Sequence, residues 1–168
     1  MIIFYHTLAS VAEFAARYRR KIFLILGTFD GLHPGHIKCL EDTRKIAGNN
    51  ALIVVGVRSD SMVLFMKGKT PAPEWERSVA ITQYNHLVDF VIIVDEGLND
   101  DGILATEILG LLKPHYLVVD KDCGLLQQRR KMCKERKIKI ILSDHQSPLG
   151  LEGISSSENE QKFSALSP

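Results

Sequence analysis

Two histidines, His33 and His36, stand three residues apart in the segment Ile25-Leu26-Gly27-Thr28-Phe29-Asp30-Gly31-Leu32-His33-Pro34-Gly35-His36. An apolar run from Lys21 to Leu26 reads as a buried strand that breaks at Gly27, and a helical pattern sets in at Gly35 and His36. The imidazoles therefore fall where a strand ends and a helix starts. Such a junction gathers unsatisfied backbone N–H groups and the positive end of a helix dipole, and both attract phosphate. Imidazole donors placed there can follow negative charge as it develops on a reacting phosphate. The pattern predicts a site for a nucleotide triphosphate.

Other polar clusters follow other strand or loop ends. Lys67-Gly68-Lys69 reads as a basic loop whose mobile ammonium groups could close over a triphosphate. Pro73-Glu74-Trp75-Glu76-Arg77 opens a helix, and Asp120-Lys121-Asp122 ends a strand with carboxylates that could bind a substrate hydroxyl or a metal-bound water. Gly153-Ile154-Ser155-Ser156-Ser157-Glu158 offers hydroxyls and N–H groups suited to cradling phosphate without net charge.

The elements that must position these residues alternate along the chain. Helices are predicted over Ala9 to Arg20, Gly35 to Ala47, Asp60 to Phe65 capped by Ser59, Glu74 to about His86, Asp101 to Leu112 and Leu125 to Arg136. Apolar strands are predicted at Ile22 to Leu26, Ala51 to Val57, Phe90 to Val94, Tyr116 to Val119 and Ile138 to Leu142. Strands apolar throughout, alternating with helices, imply an α/β fold: a Rossmann-like, doubly wound, five-stranded parallel sheet with helices on both faces. Ligands in such sheets bind at the carboxyl ends of the strands, near the reversal of strand order.

The chain has 168 residues, 45% hydrophobic and 24% charged, which bounds it to one domain of ordinary soluble composition. Residues 1–158 are expected to form that domain, with 159–168 a polar, flexible tail. A net charge of +1 argues against an extended nucleic-acid surface, and Arg129-Arg130-Lys131 is expected to be a solvated helix face. There is no apolar run near bilayer length and no signal-peptide pattern at Met1-Ile2-Ile3, so no membrane partner and a cytoplasmic location are expected. Cys39, Cys123 and Cys133 match neither a disulfide framework nor a zinc spacing.

Gly27 to His36 resembles the G-x-F-D-x-x-H-x-G-H signature of the cytidylyltransferase-like nucleotidyltransferases. The resemblance extends to the lysine loop, to the P-x-E-x-R pattern ending in Arg77, to a strand-end aspartate at Asp122, and to a G-x-S-T-T-like run at Gly153 to Ser157. Asp120 and Lys121 depart from it by replacing the usual glycines, and serines replace the usual threonines.

The resemblance implies transfer of AMP or CMP from ATP or CTP to a phosphorylated small molecule, with release of pyrophosphate. His33, His36, Lys67 and Lys69 would be catalytic. Gly27, Thr28, Phe29, Asp30, Gly35, Ser155, Ser156 and Ser157 would bind nucleotide, and Arg77 and Asp122 substrate. Mg2+ would bridge the triphosphate, with its protein ligands unassigned.

The N-terminal helix and Arg58-Ser59-Asp60 are similar to the nucleotidyltransferase domain of ADP-heptose synthases and favour a sugar phosphate as acceptor. Glycerol-3-phosphate cytidylyltransferase and FMN adenylyltransferase chemistry remain alternatives, as does a nucleotide-binding regulator without catalysis. A fragment of a class I aminoacyl-tRNA synthetase is disfavoured by the near-zero net charge. The base, the acceptor and assembly as a homodimer are left open.

Overall fold

The computed structural model describes residues 1–3, 7–68, 72–95, 106–121, 123 and 126–143. The expectations for Lys69, Asp122, Ser155, Ser156, Ser157 and the 159–168 tail lie outside these residues. The elements run β1 (Ile2–Ile3), α1 (Leu8–Arg17), β2 (Lys21–Gly27), α2 (Pro34–Ala47), β3 (Ala51–Arg58) and α3 (Asp60–Lys67). They continue as α4 (Glu74–Thr82), β4 (Phe90–Val94), α5 (Thr106–Leu112), β5 (Tyr116–Asp120), α6 (Leu126–Glu135) and β6 (Lys139–Ser143).

All strands are parallel, in the order β1-β4-β3-β2-β5-β6. The five expected strands are present, and the two-residue β1 adds a sixth at the edge beside β4, paired through Ile2 with Val91 and Ile3 with Ile92. Two residues carry no periodicity, so this strand had no sequence signal. Every residue of β3 is buried, as expected of a central strand covered on both faces.

The two faces have separate cores. Leu8, Val11 and Ala15 of α1, Ile108, Leu109 and Leu112 of α5, and Met132 and Cys133 of α6 pack on one side of the sheet, against Ile22, Leu24, Leu52, Val54 and Leu117. Leu40 of α2 and Ile81 of α4 pack on the other, against Phe23, Ile25, Ile53, Val55 and Val118. The chain winds outward from β2 through β3 to β4, then returns to the other side of β2 to form β5 and β6. The order therefore reverses between β2 and β5, and the ligand crevice of such a sheet lies outside their carboxyl ends.

Three element boundaries differ from expectation, the first being α1, which stops at Arg17, short of Arg20. The helix α3 runs on to Lys67 and stops where Gly68 adopts a left-handed conformation (φ 65°), so Lys67 closes a helix and is not part of a loop. The helix α4 stops at Thr82, short of His86, and the following turn is held by the Tyr84 N–H donating to the Ile81 carbonyl.

At the amino end of the sheet, Arg44 of α2 donates to the carbonyls of Leu87, Gly48 and Ala51 and to Asp89, whose carboxylate also accepts from the Ile53 N–H. This network ties α2 to the strand layer at the end opposite the histidines. Among the described residues, no helix is long and apolar enough to cross a membrane.

Candidate nucleotide-binding site at the end of β2

The loop from Gly27 to His33 joins β2 to α2 at the switch point. His33 is the residue preceding α2, with extended backbone angles, and Pro34 takes the first helical position, where its missing N–H costs nothing. His33 makes no side-chain cap bond and the first turn carries no acidic residue. The positive end of this dipole is left without a carboxylate of its own, which is the electrostatic condition for binding an anion. The rings of His33 and His36 lie 3.8 Å apart, centroid to centroid, tilted by 32°. The Nδ1 atom of each is buried.

Phe29 sets this pair. Its backbone is in the left-handed region (φ 56°), uncommon for a bulky residue, and its ring is buried in the core on the α2 side. The ring packs 5.2 Å from that of His36. It also covers Gly27 so closely that a Cβ there would stand 2.9 Å from Phe29 Cε2. Gly27 is thus required by packing, and the Phe29 side chain is spent on positioning His36. Any nucleotide contact at Phe29 would come from its backbone.

Arg77 braces the same loop from outside. Its side chain is 1% exposed, and its guanidinium donates to the Thr28 carbonyl, the Ala72 carbonyl and Asp60 Oδ1, each at 2.6 Å. The resemblance placed Arg77 against substrate. The structure instead commits its charge to two carbonyls and a carboxylate, so Arg77 acts on the loop. Its neighbour Glu74 accepts from the Asp60 N–H, which fixes the start of α3. Asp30 accepts from the Ala72 N–H at 3.2 Å, tying the exposed turn of the histidine loop to the segment before α4. Thr28 Oγ1 is buried and has no hydrogen-bond partner among the described residues.

Across the switch point from this loop, β5 pairs with β2. Asp120 is its last residue, half-buried, and the Lys121 N–H donates to Ser143 of β6. The Cys39 thiol of α2 is raised above its ordinary value by burial, against hydrogen bonds with Ser143 and Thr43, and the nearby Asp120 carboxylate raises it further. Cys39 is therefore an unreactive packing group, and Asp120 is placed on the α2 side of the sheet. Asp122, the strand-end aspartate that the resemblance implies, lies outside the described residues, and Asp120 shares the strand face of Val118, which packs on the α2 side.

The structure thus brings together Gly27, Thr28, Phe29, Asp30, Gly35, His33 and His36, with Arg77 behind them. Lys67 lies at the far end of α3, about 10 Å along the helix from Asp60 at 1.5 Å per residue. Among the described residues, no group of three or more His, Cys, Asp or Glu could hold a metal ion.

Comparison with known proteins agrees with this architecture. Bifunctional protein HldE of Campylobacter jejuni subsp. doylei is 33% identical over 105 residues, covering 61% of this chain and 21% of that protein. HldE of Acidiphilium cryptum is 36% identical over 121 residues, covering 69% of this chain and 23% of that protein. The chain spans roughly a fifth of the length of these curated relatives.

The crystal structure of the lipopolysaccharide core biosynthesis protein from Thermoplasma volcanium superposes with a TM-score of 0.58 at 25% identity, covering 76% of this chain and 98% of that one. The family described as cytidylyltransferase-like matches residues 24–161. That match begins inside β2 and takes in the histidine loop, α2 and the sheet behind them: the chain belongs to the cytidylyltransferase-like family.

Proposed function

We propose that this chain is a nucleotidyltransferase that joins AMP or CMP, from ATP or CTP, to a phosphorylated small molecule, with a sugar phosphate as the favoured acceptor. The observation that carries this reading is the start of α2: a helix dipole without an acidic residue or a side-chain cap, flanked by two imidazoles in ring contact at the switch point of a parallel sheet. The matched relatives support the reaction class, and the resemblance of Arg58-Ser59-Asp60 to ADP-heptose synthases supports the acceptor.

In the proposed reaction an anionic oxygen of the acceptor phosphate attacks the α-phosphorus of the nucleotide. A new P–O bond forms, the bond to the bridging oxygen of the β-phosphate breaks, and pyrophosphate leaves with that electron pair. The attacking oxygen is already ionised near neutral pH, so no base is required to remove a proton. Catalysis rests on alignment and on charge stabilisation.

His33 and His36 hold the triphosphate at the α2 terminus and donate to its oxygens as charge shifts toward the leaving group. Thr28 Oγ1, a buried hydroxyl without a partner among the described residues, is suited to donate to a phosphate oxygen. Gly35 and the loop backbone complete the cradle. Lys67, with Lys69, would add positive charge, and Ser155, Ser156 and Ser157 hydroxyls, to the outer phosphates; Asp122 would contact the acceptor. Magnesium would arrive on the triphosphate oxygens as part of the nucleotide, supplying charge neutralisation there.

The test is pyrophosphate release with Mg-ATP and Mg-CTP against sugar phosphates, glycerol 3-phosphate and FMN. Release with a sugar phosphate is expected. Preference for glycerol 3-phosphate or FMN would replace the acceptor and keep the reaction class. Tight nucleotide binding with no pyrophosphate from any acceptor would assign the chain as a regulator.

A further inference from the structure

The two halves of the sheet meet where β2 pairs with β5. That ladder is short, running from Phe23 beside Tyr116 to Ile25 beside Val118. On its other side β2 pairs with β3 over its whole length, from Lys21 beside Ala51 to Gly27 beside Val57. Among the described strands, β5 and β6 are attached to the rest of the sheet through the β2–β5 ladder alone.

His115 lengthens this ladder at its amino end. Its N–H donates to the Ile22 carbonyl at 3.0 Å, and its own carbonyl accepts from the Lys139 N–H of β6. Its ring adds a bond that backbone atoms make elsewhere: Nδ1 accepts from the Ile22 N–H at 3.1 Å. In a regular parallel ladder that N–H would go to the carbonyl two residues before His115, at Lys113. There the chain is still in the turn that ends α5, with Lys113 left-handed (φ 48°) and its N–H on the Leu109 carbonyl. The imidazole stands in for the missing acceptor. Ile22 is only 1% exposed, which leaves water little access to that N–H.

We propose that His115 is a pH-sensitive latch on this seam: the neutral ring closes the amino end of the β2–β5 ladder, and protonation opens it. The accepting Nδ1 carries a lone pair, so the neutral ring holds its proton on Nε2. A second proton enters at Nδ1 and sets two N–H donors against each other. The bond is then lost, and the Ile22 N–H is left without its acceptor.

The surroundings oppose that second proton. Lys21, at the start of β2, is the charged group that acts on the ring, and no carboxylate acts on it among the described residues. Lys139 of β6 bonds the His115 carbonyl, and Arg20 and Lys113 precede Lys21 and Pro114 along the chain. Burial first, then the Lys21 charge, hold the imidazole below its ordinary value of 6.5. A histidine lowered in the folded state stabilises the closed seam fully above 6.5, and that contribution is lost as pH falls below 6.5 through the folded value. For one proton, the opening constant rises by at most about tenfold per pH unit in that window. The far end of the ladder, Ile25 beside Val118, leads into Leu26 and Gly27, so the seam that His115 closes carries the histidine loop at its other end.

The experiment measures, on 15N-labelled protein, the scalar coupling between the Ile22 amide nitrogen and His115 Nδ1, which passes only across a hydrogen bond. Amide exchange at Ile22 and along β5, corrected for the pH dependence of free amides, is followed beside it. At about one unit above 6.5 the coupling is expected, with Nδ1 giving the signal of an unprotonated nitrogen. On acidification below 6.5 the coupling should vanish, and exchange at Ile22 and His115 should rise by up to about tenfold per pH unit. His115→Asn places an oxygen acceptor where Nδ1 stands and does not titrate, so it should keep the slow exchange of neutral pH throughout. His115→Leu should exchange fast at every pH.

The wild-type measurement reports even where His115→Leu fails to fold. A protonated Nδ1 at neutral pH, or a coupling that persists while the ring titrates, would overturn the latch. So would a wild-type pH slope in His115→Asn, which would assign the effect to another group. Faster exchange confined to Ile22, with His115 and the rest of β5 unaltered, would reduce the bond to a local contact and overturn its role on the seam.

Discussion

The helices α2 and α3 both begin at the carboxyl edge of the sheet, after the neighbouring strands β2 and β3, yet their first turns are furnished in opposite ways. At α3, Ser59 Oγ accepts from the Met62 N–H at 3.2 Å, Asp60 supplies a carboxylate to the dipole, and the Ser59 N–H donates to the Val94 carbonyl. Its hydroxyl and that of Ser61 also donate to Asp95 at the end of β4. The orphan donors of that terminus are met by the protein itself. At α2, His33 makes no side-chain cap bond, the first turn has no acid, and the His36 and Ile37 N–H groups donate to the His33 carbonyl. Equivalent positions in the fold are thus capped by a side chain in one case and left without a side-chain cap in the other.

The sharpest way to break this contrast is at α2. His36→Ala is expected to lower turnover about a hundredfold or more, with a much smaller loss of nucleotide affinity. Steady-state rates beside equilibrium nucleotide binding decide it; equal losses in both would reduce His36 to a binding group.

Arg77 links the two helix starts, since it holds Thr28 on one and Asp60 on the other. Arg77→Met leaves a carboxylate and two carbonyls without their donor, and is expected to cost about 3 kcal/mol of stability, as for a broken buried ion pair. Thermal unfolding measures this. In any fraction that stays folded, nucleotide affinity should fall as well, because the Thr28 carbonyl loses its anchor. Unaltered stability would mean that the loop is held by Phe29 packing alone.

At α3 a smaller, purely structural effect is expected. Ser59→Ala should cost about 1 kcal/mol, the usual loss of an N-cap, with turnover of the folded enzyme preserved. A drop in turnover comparable to that of His36→Ala would erase the distinction between the two termini.

The smallest effect is a pH dependence at the same place. Hydrogen bonds from Ser59 and Ser61 hold the Asp95 carboxyl below its ordinary value of 3.8, against a minor opposing contribution from burial. A carboxyl with a lower value in the folded state stabilises the protein fully above its unfolded value. That contribution is lost as pH falls below 3.8 and through the folded value. Asp95→Asn should flatten the acid limb of a stability-against-pH curve in that range. An unchanged limb would show that Ser59 and Ser61 do not act on Asp95 in solution.

Much of this molecule is legible from short stretches of sequence. The strand-loop-helix grammar around His33 and His36 lies within a dozen residues, because a strand run, a breaking glycine and a helical period are local signals. The same holds for the Ser59 cap, for the buried β3 and for the alternation that implies a parallel sheet. The burial of Arg77 and the half-burial of Arg129 were not legible. Arg77 reads equally as a surface partner of Glu74 or as a substrate ligand, and only its packing against Thr28, 49 residues away, shows it buried and spent. Arg129 sits in a basic run that looks solvated, yet it is half-buried where Arg130 and Lys131 are exposed.

By itself, then, the sequence determined the order and type of the elements and the residues that leave the end of β2, since these follow from backbone propensity and hydrophobic period over a few turns. Tertiary structure alone decided which charges are buried and which face a ligand. Burial and pairing depend on what other segments place within a few ångströms. The partners that matter here, Arg77 with Thr28 and Asp60, and Ser59 with Asp95, are joined only when the strands assemble side by side.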